Sequence, residues 1–373
     1  MEEVKPIVSV IISSYNHEKY ISYTIESILK QSFQYFELII IDDFSQDRTY
    51  EIIKKFAKQD SRIIHFRNKE NLGPSINLNK AINIVKSNYI ALIASDDTMK
   101  ENRLEVQFNF LEKNQKYSAV FSHVNIIDEN NNQINHNAES VFNGSFGSRE
   151  EILNHFFYRG NFLNAPSAML RKQDVLQVKY HKNSSFQLQD FDLWVKMLLA
   201  KKEFFCLEEK LTFYRISNNN LSSIGSKKPN LNCLSRSLID NQQILENFLI
   251  IDDLEEFKKI FPDCVYKKNL QKDLIKFYIG IEAYKNFKLN NNIIYYNFAY
   301  NVVSRIIDND FLRKLAKEKH NFSIKDFLEI ANSNPLAKII LNQNIKIINK
   351  KSFFQRLQNS IKKRITKIKK CIK

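Results

Sequence analysis

A short apolar run, Ile90–Ala94, is followed after one serine by two adjacent carboxylates, Asp96 and Asp97. A run without polar residues is typical of a central parallel strand that helices cover on both faces. Ligands bind at the carboxyl ends of such strands, which is where both carboxylates would lie. They repel each other, and a divalent cation relieves that repulsion. A solvated loop in which one Asp caps the next helix explains the same pattern without a ligand.

The alternation of apolar strand and amphipathic helix recurs from Val8 to Ile127. Helical spacing follows the first strand in Ile21, Ile25 and Ile28, and Ser45 is predicted to cap the second helix. The expected strands are Val8–Ser14, Phe36–Ile41, Arg62–Phe66, Tyr89–Ala94 and Tyr117–Ile127. Four successive strand–helix units predict an α/β fold with a doubly wound, mostly parallel sheet.

Polar side chains follow three of these strands at the point where each strand ends. They are Ser13 and Tyr15, Asp42 and Asp43, and Asp96 and Asp97. The carboxyl ends of parallel strands meet at one edge, so we expect these side chains to lie together. A carboxylate can accept from a pyrimidine ring N–H and an aromatic ring can stack on a base, which indicates a nucleotide site. Taken singly, Tyr15 also fits a packed surface aromatic, and Asp42 or Asp43 a helix cap.

The phosphate-binding loops of other nucleotide-binding folds are missing from the sequence. The first strand-to-helix turn reads Ser-Ser-Tyr-Asn-His, with neither GxGxxG nor GxxxxGK[ST]. A Gly-rich cradle of backbone amides is therefore not offered, and a metal ion is expected to neutralise the phosphate charge instead.

The composition of the 373 residues bounds the cellular setting. The four cysteines lie far apart with no CxxC pair, which favours a reducing cytosolic compartment over disulfides or zinc. No run approaches the ~18 apolar residues of a membrane span, and the acidic start is unlike a signal peptide. Eleven Lys or Arg and no Asp or Glu stand between Lys346 and Lys373, against a net charge of +15 for the whole chain.

Four motifs now occur in order: Val-Ser-Val-Ile-Ile-Ser-Ser-Tyr-Asn, then Phe-Glu-Leu-Ile-Ile-Ile-Asp-Asp-Phe-Ser, then Asn-Leu-Gly-Pro-Ser, then Ser-Asp-Asp. Over about residues 6–215 the chain resembles the inverting family 2 glycosyltransferases of the GT-A fold. The resemblance implies a nucleotide-sugar donor and Mg²⁺ or Mn²⁺, with Asp97 as the metal ligand. The implied donor-binding residues are Ser13, Tyr15, Asn16, Asp43, Asp96 and Arg215.

Two later segments resemble the acceptor side of the same family. One contains the expected acceptor residues Asn164, Ala165, Pro166 and Ser167, and the other reads Gln-Asp-Phe-Asp-Leu-Trp and would supply Asp190 as catalytic base. A first-turn acid stabilised by the helix dipole is the plainer interpretation of Asp190, and the two are compatible.

Two positions near these segments depart from the family pattern. Gln189 stands where the family has Glu, and Ser217 where it commonly has His. Arg215 would either contact phosphate or pair with an acid at the edge of the core. Trp194 is predicted to pack in the core.

Beyond the resemblance we expect three parts: a catalytic domain over 1–225, a helical region over 226–349 and a basic tail helix over 350–373. In the tail, apolar residues such as Phe354, Ile361 and Ile365 recur at helical spacing among Lys and Arg. Such a helix is drawn to an anionic membrane surface. A solvated basic end, or a helix docked on its own protein, are the alternatives, and nucleic acid is not expected as a partner.

The predicted function is an inverting, metal-dependent transfer of a hexosyl or N-acetylhexosaminyl group from a nucleotide donor, UDP by default. The acceptor would be a hydroxyl of a glycan or lipid-linked substrate in cell-surface polysaccharide or glycoconjugate synthesis. We expect the enzyme in the cytoplasm, at the inner face of the cell membrane. The alternative is a non-catalytic module that retains a nucleotide-sugar pocket.

Overall fold

The computed structural model describes residues 5–144, 147–178, 185, 187–217 and 231–337. The predicted tail helix over 350–373 lies outside these residues. The chain divides into two compact units, Met1–Cys264 and Val265–Lys373. No helix in the described ranges is long and apolar enough to cross a membrane.

The first unit is built on an eight-stranded mixed sheet in the order β3-β2-β1-β4-β7-β6-β8-β5. Strands β3, β2, β1 and β4 are parallel neighbours, and β6 is parallel to β8. The short strand β7 runs antiparallel between β4 and β6 and joins these two halves. The strands are β1 Val8–Ser14, β2 Phe36–Asp42, β3 Ile63–Arg67, β4 Tyr89–Leu92, β5 Thr98–Met99, β6 Tyr117–Ile127, β7 Met169–Arg171 and β8 Glu203–Arg215.

Helices cover both faces of this sheet. One face carries α1, α2 and α4, whose residues Ile25, Ile53 and Leu104 are completely buried in one cluster with residues of β1 and β2. Helix α3 packs on β1 and β2 as well. The helices of the first unit are α1 Ile21–Leu29, α2 Thr49–Gln59, α3 Pro74–Ile84, α4 Arg103–Lys113, α5 Ala138–Phe142, α6 Arg149–Arg159, α7 Lys172–Gln177, α8 Gln189–Leu199, α9 Leu231–Asn247 and α10 Leu254–Ile260.

Burial on both faces explains why the strands appear as uninterrupted apolar runs. Every residue of β2 and of β4 is buried, so the strands are mostly apolar, and the buried Glu37 of β2 accepts a hydrogen bond from Ser9 Oγ. Each fully buried Ile of these strands, such as Ile11 or Ile40, stabilises the fold by about 1.5–3 kcal/mol. The predicted doubly wound, mostly parallel sheet is confirmed.

The prediction for Ser45 was wrong. Helix α2 begins at Thr49, and its N-cap residue Arg48 makes no side-chain capping bond. Ser45 instead lies in the loop after β2, where its Oγ accepts the N–H of Asn16 at 3.0 Å. The serine therefore joins the loops that follow β1 and β2, because these loops lie side by side at the sheet edge.

The last helices of the first unit belong to the region 226–349. Helix α10 contacts α6 through the ion pair of Arg149 with Glu256 at 2.8 Å. The rings of Phe248 and Phe261 pack edge-on against Phe157 of α6. These two aromatic contacts and the ion pair attach residues 248–261 to the sheet-bearing unit.

The second unit is helical, as predicted for this part of the chain. Its described helices are α11 Ile275–Asn290, α12 Ile293–Ile307, α13 Asp310–His320 and α14 Ile324–Asn332. Asn291 ends α11 in the left-handed conformation, and Asn292 caps α12 by accepting the N–H of Ile294 at 3.0 Å. Gly280 lets α11 and α12 approach closely, since a Cβ there would lie 3.0 Å from Val302.

Candidate active site

Asp97 lies five residues beyond the end of β4 and is almost completely buried. Its Oδ1 accepts the backbone N–H of Arg215 at 2.8 Å. Its Oδ2 is also buried and has no hydrogen-bond partner among the described residues. Burial first, and then the charge of Asp96, raise the pKa of Asp97 well above its usual value. A buried carboxylate oxygen without a donor is the arrangement that a cation stabilises.

Arg215, at the end of β8, is completely buried behind the two carboxylates. Its Nε donates to the carbonyl of Asp96 at 2.7 Å, and its Nη1 to the carbonyl of Asp128 at 2.6 Å. Its guanidinium carbon lies 4.7 Å from the ring centroid of Tyr20. The side chain thus holds the backbone of the Asp96–Asp97 turn. A direct contact with phosphate stays a prediction.

A second buried arginine, Arg103, was not predicted to belong near the site. It donates to the carbonyls of Leu92 at 3.0 Å and Ala168 at 3.2 Å. Burial lowers the pKa of Arg103 to about 9, opposed by the charge of Asp97. Gln107, one turn along α4, bonds Arg103 at 3.0 Å and donates to the carbonyl of Ser167 at 2.7 Å. The signal in the sequence was a polar pair at i and i+4 on the apolar side of α4.

Asp43 is buried at the end of β2 and both its oxygens accept hydrogen bonds. Oδ1 accepts from Asn68 Nδ2 and from the N–H of Leu72, and Oδ2 accepts the N–H of Gly73, all at 2.8 Å. Gly73 has φ of 83°, a conformation that glycine adopts readily. Asp43 therefore fixes the Asn-Leu-Gly-Pro turn, and Oδ2 keeps a free lone pair for a further donor.

The side chains after β1 lie beside this carboxylate, because Ser14 pairs with Asp42 in the parallel ladder. Ser13 Oγ accepts from Asn77 at 3.1 Å. Tyr15 is 44% exposed, so its ring face is open to a planar ligand. Asn16 adopts a left-handed φ of 53°, and its Oδ1 accepts the N–H of Gln46 at 2.8 Å. The structure thus gathers Ser13, Tyr15, Asn16 and Asp43 at one edge.

Asp42, the neighbouring carboxylate, is buried and its side chain binds the loop that follows β2. Its Oδ2 accepts the N–H of Ser45 at 3.1 Å and lies 3.3 Å from Nε of Arg67. Burial raises the pKa of Asp42, and the hydrogen bonds of Ser45 and the charge of Arg67 oppose that rise.

The predicted acceptor residues form a short 3-10 turn, Ala165–Ser167, that leads into β7. Ser167 is completely buried and its Oγ donates to the carbonyl of Asn164 at 2.8 Å, so this hydroxyl braces the turn. Asn164 is buried, and its Oδ1 has no hydrogen-bond partner among the residues that the structure describes. The N–H of Leu92 donates to the carbonyl of Ala168 at 3.0 Å, which ties the turn to the end of β4.

Asp190 lies in the first turn of α8. Its Oδ2 accepts from Nδ2 of Asn161 at 3.2 Å, so the base candidate faces the segment that leads into the acceptor turn. Burial raises the pKa of Asp190 to about 6, although its own N–H, that of Phe191 and the amide of Asn161 favour the charged form. A carboxylate with this pKa is poised to take a proton near neutral pH.

Trp194, one turn along α8, packs in the core as predicted. It is completely buried, and its ring meets Phe121 edge-on at 5.1 Å and Phe204 at 5.9 Å. Trp194 therefore anchors the helix that carries Asp190.

The carboxylates of Asp96 and Asp97 would be the protein ligands of a divalent cation. In the described ranges, no group of three or more His, Cys, Asp and Glu is placed to hold a metal ion. Two carboxylates and an unpartnered Oδ2 fit a cation whose remaining ligands are diphosphate oxygens and water. Ser217, where the family commonly has His, is buried.

The order of these elements and residues matches that of known enzymes. Residues 9–178 match the family model for Glycosyl transferase family 2. An uncharacterized glycosyltransferase of Methanocaldococcus jannaschii is 36% identical over 228 residues, which are 60% of this chain and 76% of that protein. The chain belongs to glycosyltransferase family 2. The family 2 membership confirms that part of the resemblance.

Two further relatives and one solved structure are similar to this family 2 glycosyltransferase. TuaG of Bacillus subtilis, named for teichuronic acid biosynthesis, is 30% identical over 60% of this chain and 84% of its own. The GalNAc(5)-diNAcBac-PP-undecaprenol β-1,3-glucosyltransferase of Campylobacter jejuni is 25% identical over 84% and 97%. The S. aureus TarS 1–349 structure with UDP-GlcNAc, at 17% identity, has a TM-score of 0.52 over 80% of each chain. That likeness confirms the GT-A-type fold.

Proposed function

We propose that this family 2 glycosyltransferase moves a sugar from a nucleotide donor, with UDP as the default nucleotide, to an acceptor hydroxyl with inversion. The observation that carries the proposal is the half-buried Asp190, with its pKa of about 6, hydrogen-bonded to Asn161 beside the acceptor turn. A single displacement with one base inverts the anomeric carbon and needs no covalent intermediate.

The acceptor we propose is a glycan or a lipid-linked saccharide in cell-surface polysaccharide or glycoconjugate synthesis. The names of the Campylobacter and Bacillus relatives support this class. The S. aureus TarS complexes with UDP and UDP-GlcNAc, which share the fold, agree with UDP as the nucleotide and with a hexosyl or N-acetylhexosaminyl group.

In the reaction, Asp190 takes the proton of the acceptor hydroxyl as the acceptor oxygen bonds to the anomeric carbon. The bond from that carbon to the diphosphate oxygen breaks, and the nucleoside diphosphate leaves with the electron pair. Asp43 and Tyr15 hold the base of the donor, one by its free lone pair and the other by its exposed ring. Mg²⁺ or Mn²⁺, held by Asp97 and Asp96, would offset the negative charge that develops on the leaving diphosphate.

A donor screen tests this proposal. The full chain is incubated with Mg²⁺ or Mn²⁺ and a panel of UDP-, GDP- and TDP-sugars, and the melting temperature and the release of free nucleoside diphosphate are measured. We expect a metal-dependent shift and slow release with one class of donor, and loss of both in Asp97→Ala. A shift without turnover under any condition would favour the alternative, a non-catalytic nucleotide-sugar module.

We also propose that the tail over 350–373 binds the anionic inner face of the cell membrane and keeps the enzyme there. The supporting observation is the tail's ten Lys or Arg, without Asp or Glu, between 350 and 373. Co-sedimentation with vesicles containing phosphatidylglycerol tests it. Binding should fall with salt and vanish in a chain that ends at residue 349, whereas equal binding of both chains would refute the role of the tail.

A further inference from the structure

Helix α9 reaches back to the segment that precedes the proposed base. Asp240 of α9 is buried, and its Oδ2 accepts three hydrogen bonds from that segment. The donors are Ser185 Oγ at 3.1 Å, the N–H of Gln187 at 2.8 Å and the N–H of Leu188 at 2.9 Å. A single carboxylate oxygen therefore fixes the backbone immediately before α8.

This contact holds the two residues that lead into α8. Leu188 is the N-cap residue of α8 and has no side chain that can accept a hydrogen bond. The position of the first turn, which carries Asp190, then depends on what holds residues 187 and 188. Asp240 holds them from a helix more than fifty residues later in the chain.

The same segment is also held by a residue next to the proposed nucleotide pocket. Ser75 Oγ donates to the carbonyl of Ser185. Ser75 lies in the first turn of α3, directly after the turn whose N–H groups at Leu72 and Gly73 bind Asp43. The residues before Asp190 are thus bound between the nucleotide side of the site and helix α9.

Asp240 also acts on Asp190 through its charge, which adds to burial in raising the pKa of that carboxyl. Several other charged side chains on α8 and on the elements packed against it are paired, while His155 and Arg159 on α6 lie near each other and form no ion pair among the described residues. The pairs are Asp192 with Lys196, Asp174 with Lys202, and Arg149 with Glu150 and Glu256.

We propose that Asp240 is a positioning residue for catalysis: it holds the start of α8 so that Asp190 meets the acceptor hydroxyl. This inference rests on the proposed role of Asp190 as base. It assigns a function in the reaction to helix α9, which lies beyond the segment that matches the family model.

The test compares variants of the full chain at two contacts between α9 and α8. Asp240→Ala removes the carboxylate, and Asp240→Asn keeps an acceptor oxygen without the charge. Asn247→Ala is the matched control, because Asn247 Nδ2 donates to Oδ1 of Asp192 at 2.7 Å, also joining α9 to α8. The readouts are release of UDP from the UDP-sugar that the donor screen identifies, binding of UDP by thermal shift, and hydrogen exchange of peptides covering residues 187–199.

In Asp240→Ala we expect UDP release to slow about 10- to 100-fold with UDP binding unchanged, because a base displaced by about 1 Å loses this much. Exchange at the start of α8 should rise in Asp240→Ala and stay near wild type in Asn247→Ala. Asp240→Asn should recover part of the rate and move the acidic limb of the pH–rate profile to lower pH.

Equal exchange and equal rates in Asp240→Ala and Asn247→Ala, at matched melting temperatures, would overturn the inference. If Asp240→Ala does not fold, Asp240→Asn decides. An acidic limb of the pH–rate profile and a hydrogen exchange at the start of α8 that both equal those of wild type would also overturn the inference. Failure of the proposed function looks different: Asp190→Asn would then release UDP at the wild-type rate, whatever the Asp240 variants do.

Discussion

The backbone N–H of Arg215 donates to Oδ1 of Asp97, and the Arg215 side chain donates to the carbonyl of Asp96. One residue at the end of β8 therefore holds both members of the carboxylate pair, through its main chain and its side chain. This leaves Oδ2 of Asp97 as the oxygen that the described residues do not bind.

Replacing Arg215 by Met should loosen that pair. The carbonyl of Asp96 would lose its donor, and an unpaired buried carbonyl costs about 1–3 kcal/mol, whereas the carbonyl of Asp128 would keep the N–H of Asn131. We expect the free energy of unfolding in urea to fall by about 1–3 kcal/mol and the KM for the donor to rise. Arg48→Met, at a largely exposed ion pair, is the control and should change stability by less than about 1 kcal/mol. Matching losses in both variants would contradict the role given to Arg215.

Asp97→Asn should separate metal binding from folding. The amide keeps an oxygen for the N–H of Arg215 but removes a buried negative charge whose pKa burial raises. We therefore expect the melting temperature without donor to stay the same or rise, while the metal-dependent shift with nucleotide sugar disappears. Asp42→Asn removes a buried charge outside the metal pair and should keep that shift. A retained shift in Asp97→Asn would exclude Asp97 as the metal ligand.

The rate of transfer should depend on the protonation of Asp190. The carboxylate form is needed to take a proton, so the rate should rise with pH and reach half its maximum near the pKa of about 6. Asn161→Ala removes a donor that favours the charged form and should move this limb to higher pH. Initial rates between pH 4.5 and 8.5 measure both. If the pH of half-maximal rate is the same in Asn161→Ala as in wild type, the Asn161 amide does not influence the pKa of Asp190.

The same pKa predicts an effect on stability. Because the folded pKa of Asp190 lies above the unfolded value of 3.8, the native state binds more protons between these values and stability falls as pH rises through them. Asp190→Asn removes this charge, so its melting temperature relative to wild type should be higher at pH 8 than at pH 4. Calorimetry at the two pH values measures this. If the melting temperature of Asp190→Asn relative to wild type is instead lower at pH 8 than at pH 4, the pKa of Asp190 is not raised.

Gly73→Ala should weaken donor binding through the backbone. Gly73 has φ of 83° and ψ of 163°, where a Cβ costs about 1–3 kcal/mol, and its N–H binds Asp43. We expect lower stability and a higher KM for the donor, with kcat changed less. Gly144→Ala is a suitable control, since nothing lies within 4 Å of a Cβ built there. A KM as low as that of the control would show that the turn does not support the nucleotide pocket.

The sequence predicted the parallel half of the sheet well, because burial on two faces makes β1, β2 and β4 mostly apolar, and the buried polar pair Ser9 and Glu37 near the start of β1 and β2 is hydrogen-bonded. Strands β5, β7 and β8 were not predicted. The two or three residues of β5 and β7 carry no periodicity, and three exposed charged residues, Glu208 to Lys210, interrupt β8. Ser45 was misassigned because the sequence does not show that Asn16 would compete for its hydroxyl.

The sequence also predicted only part of the site. The motifs indicated the residues at the strand ends and Asp190. The roles of these residues follow from the family resemblance and stay predictions. Arg103 and Asp240 escaped notice because their contacts join residues far apart in sequence, such as Arg103 with Ala168 and Asp240 with Leu188. The position of Arg103 and Gln107 on the apolar side of α4 was an unused signal in the sequence, whereas the burial of Asp240 is shown only by the fold.

The bond between Asp97 and Arg215 spans 118 positions, which has a consequence for synthesis on the ribosome. Strands β1 to β4 can pair while only the first hundred or so residues have emerged, since their ladders need nothing later in the chain. The carboxylate pair is held only once β8 is complete, and the start of α8 only once α9 follows. A nascent chain can therefore form the parallel strands that carry Asp43 and Tyr15 before the contacts that hold Asp97 and the start of α8 exist.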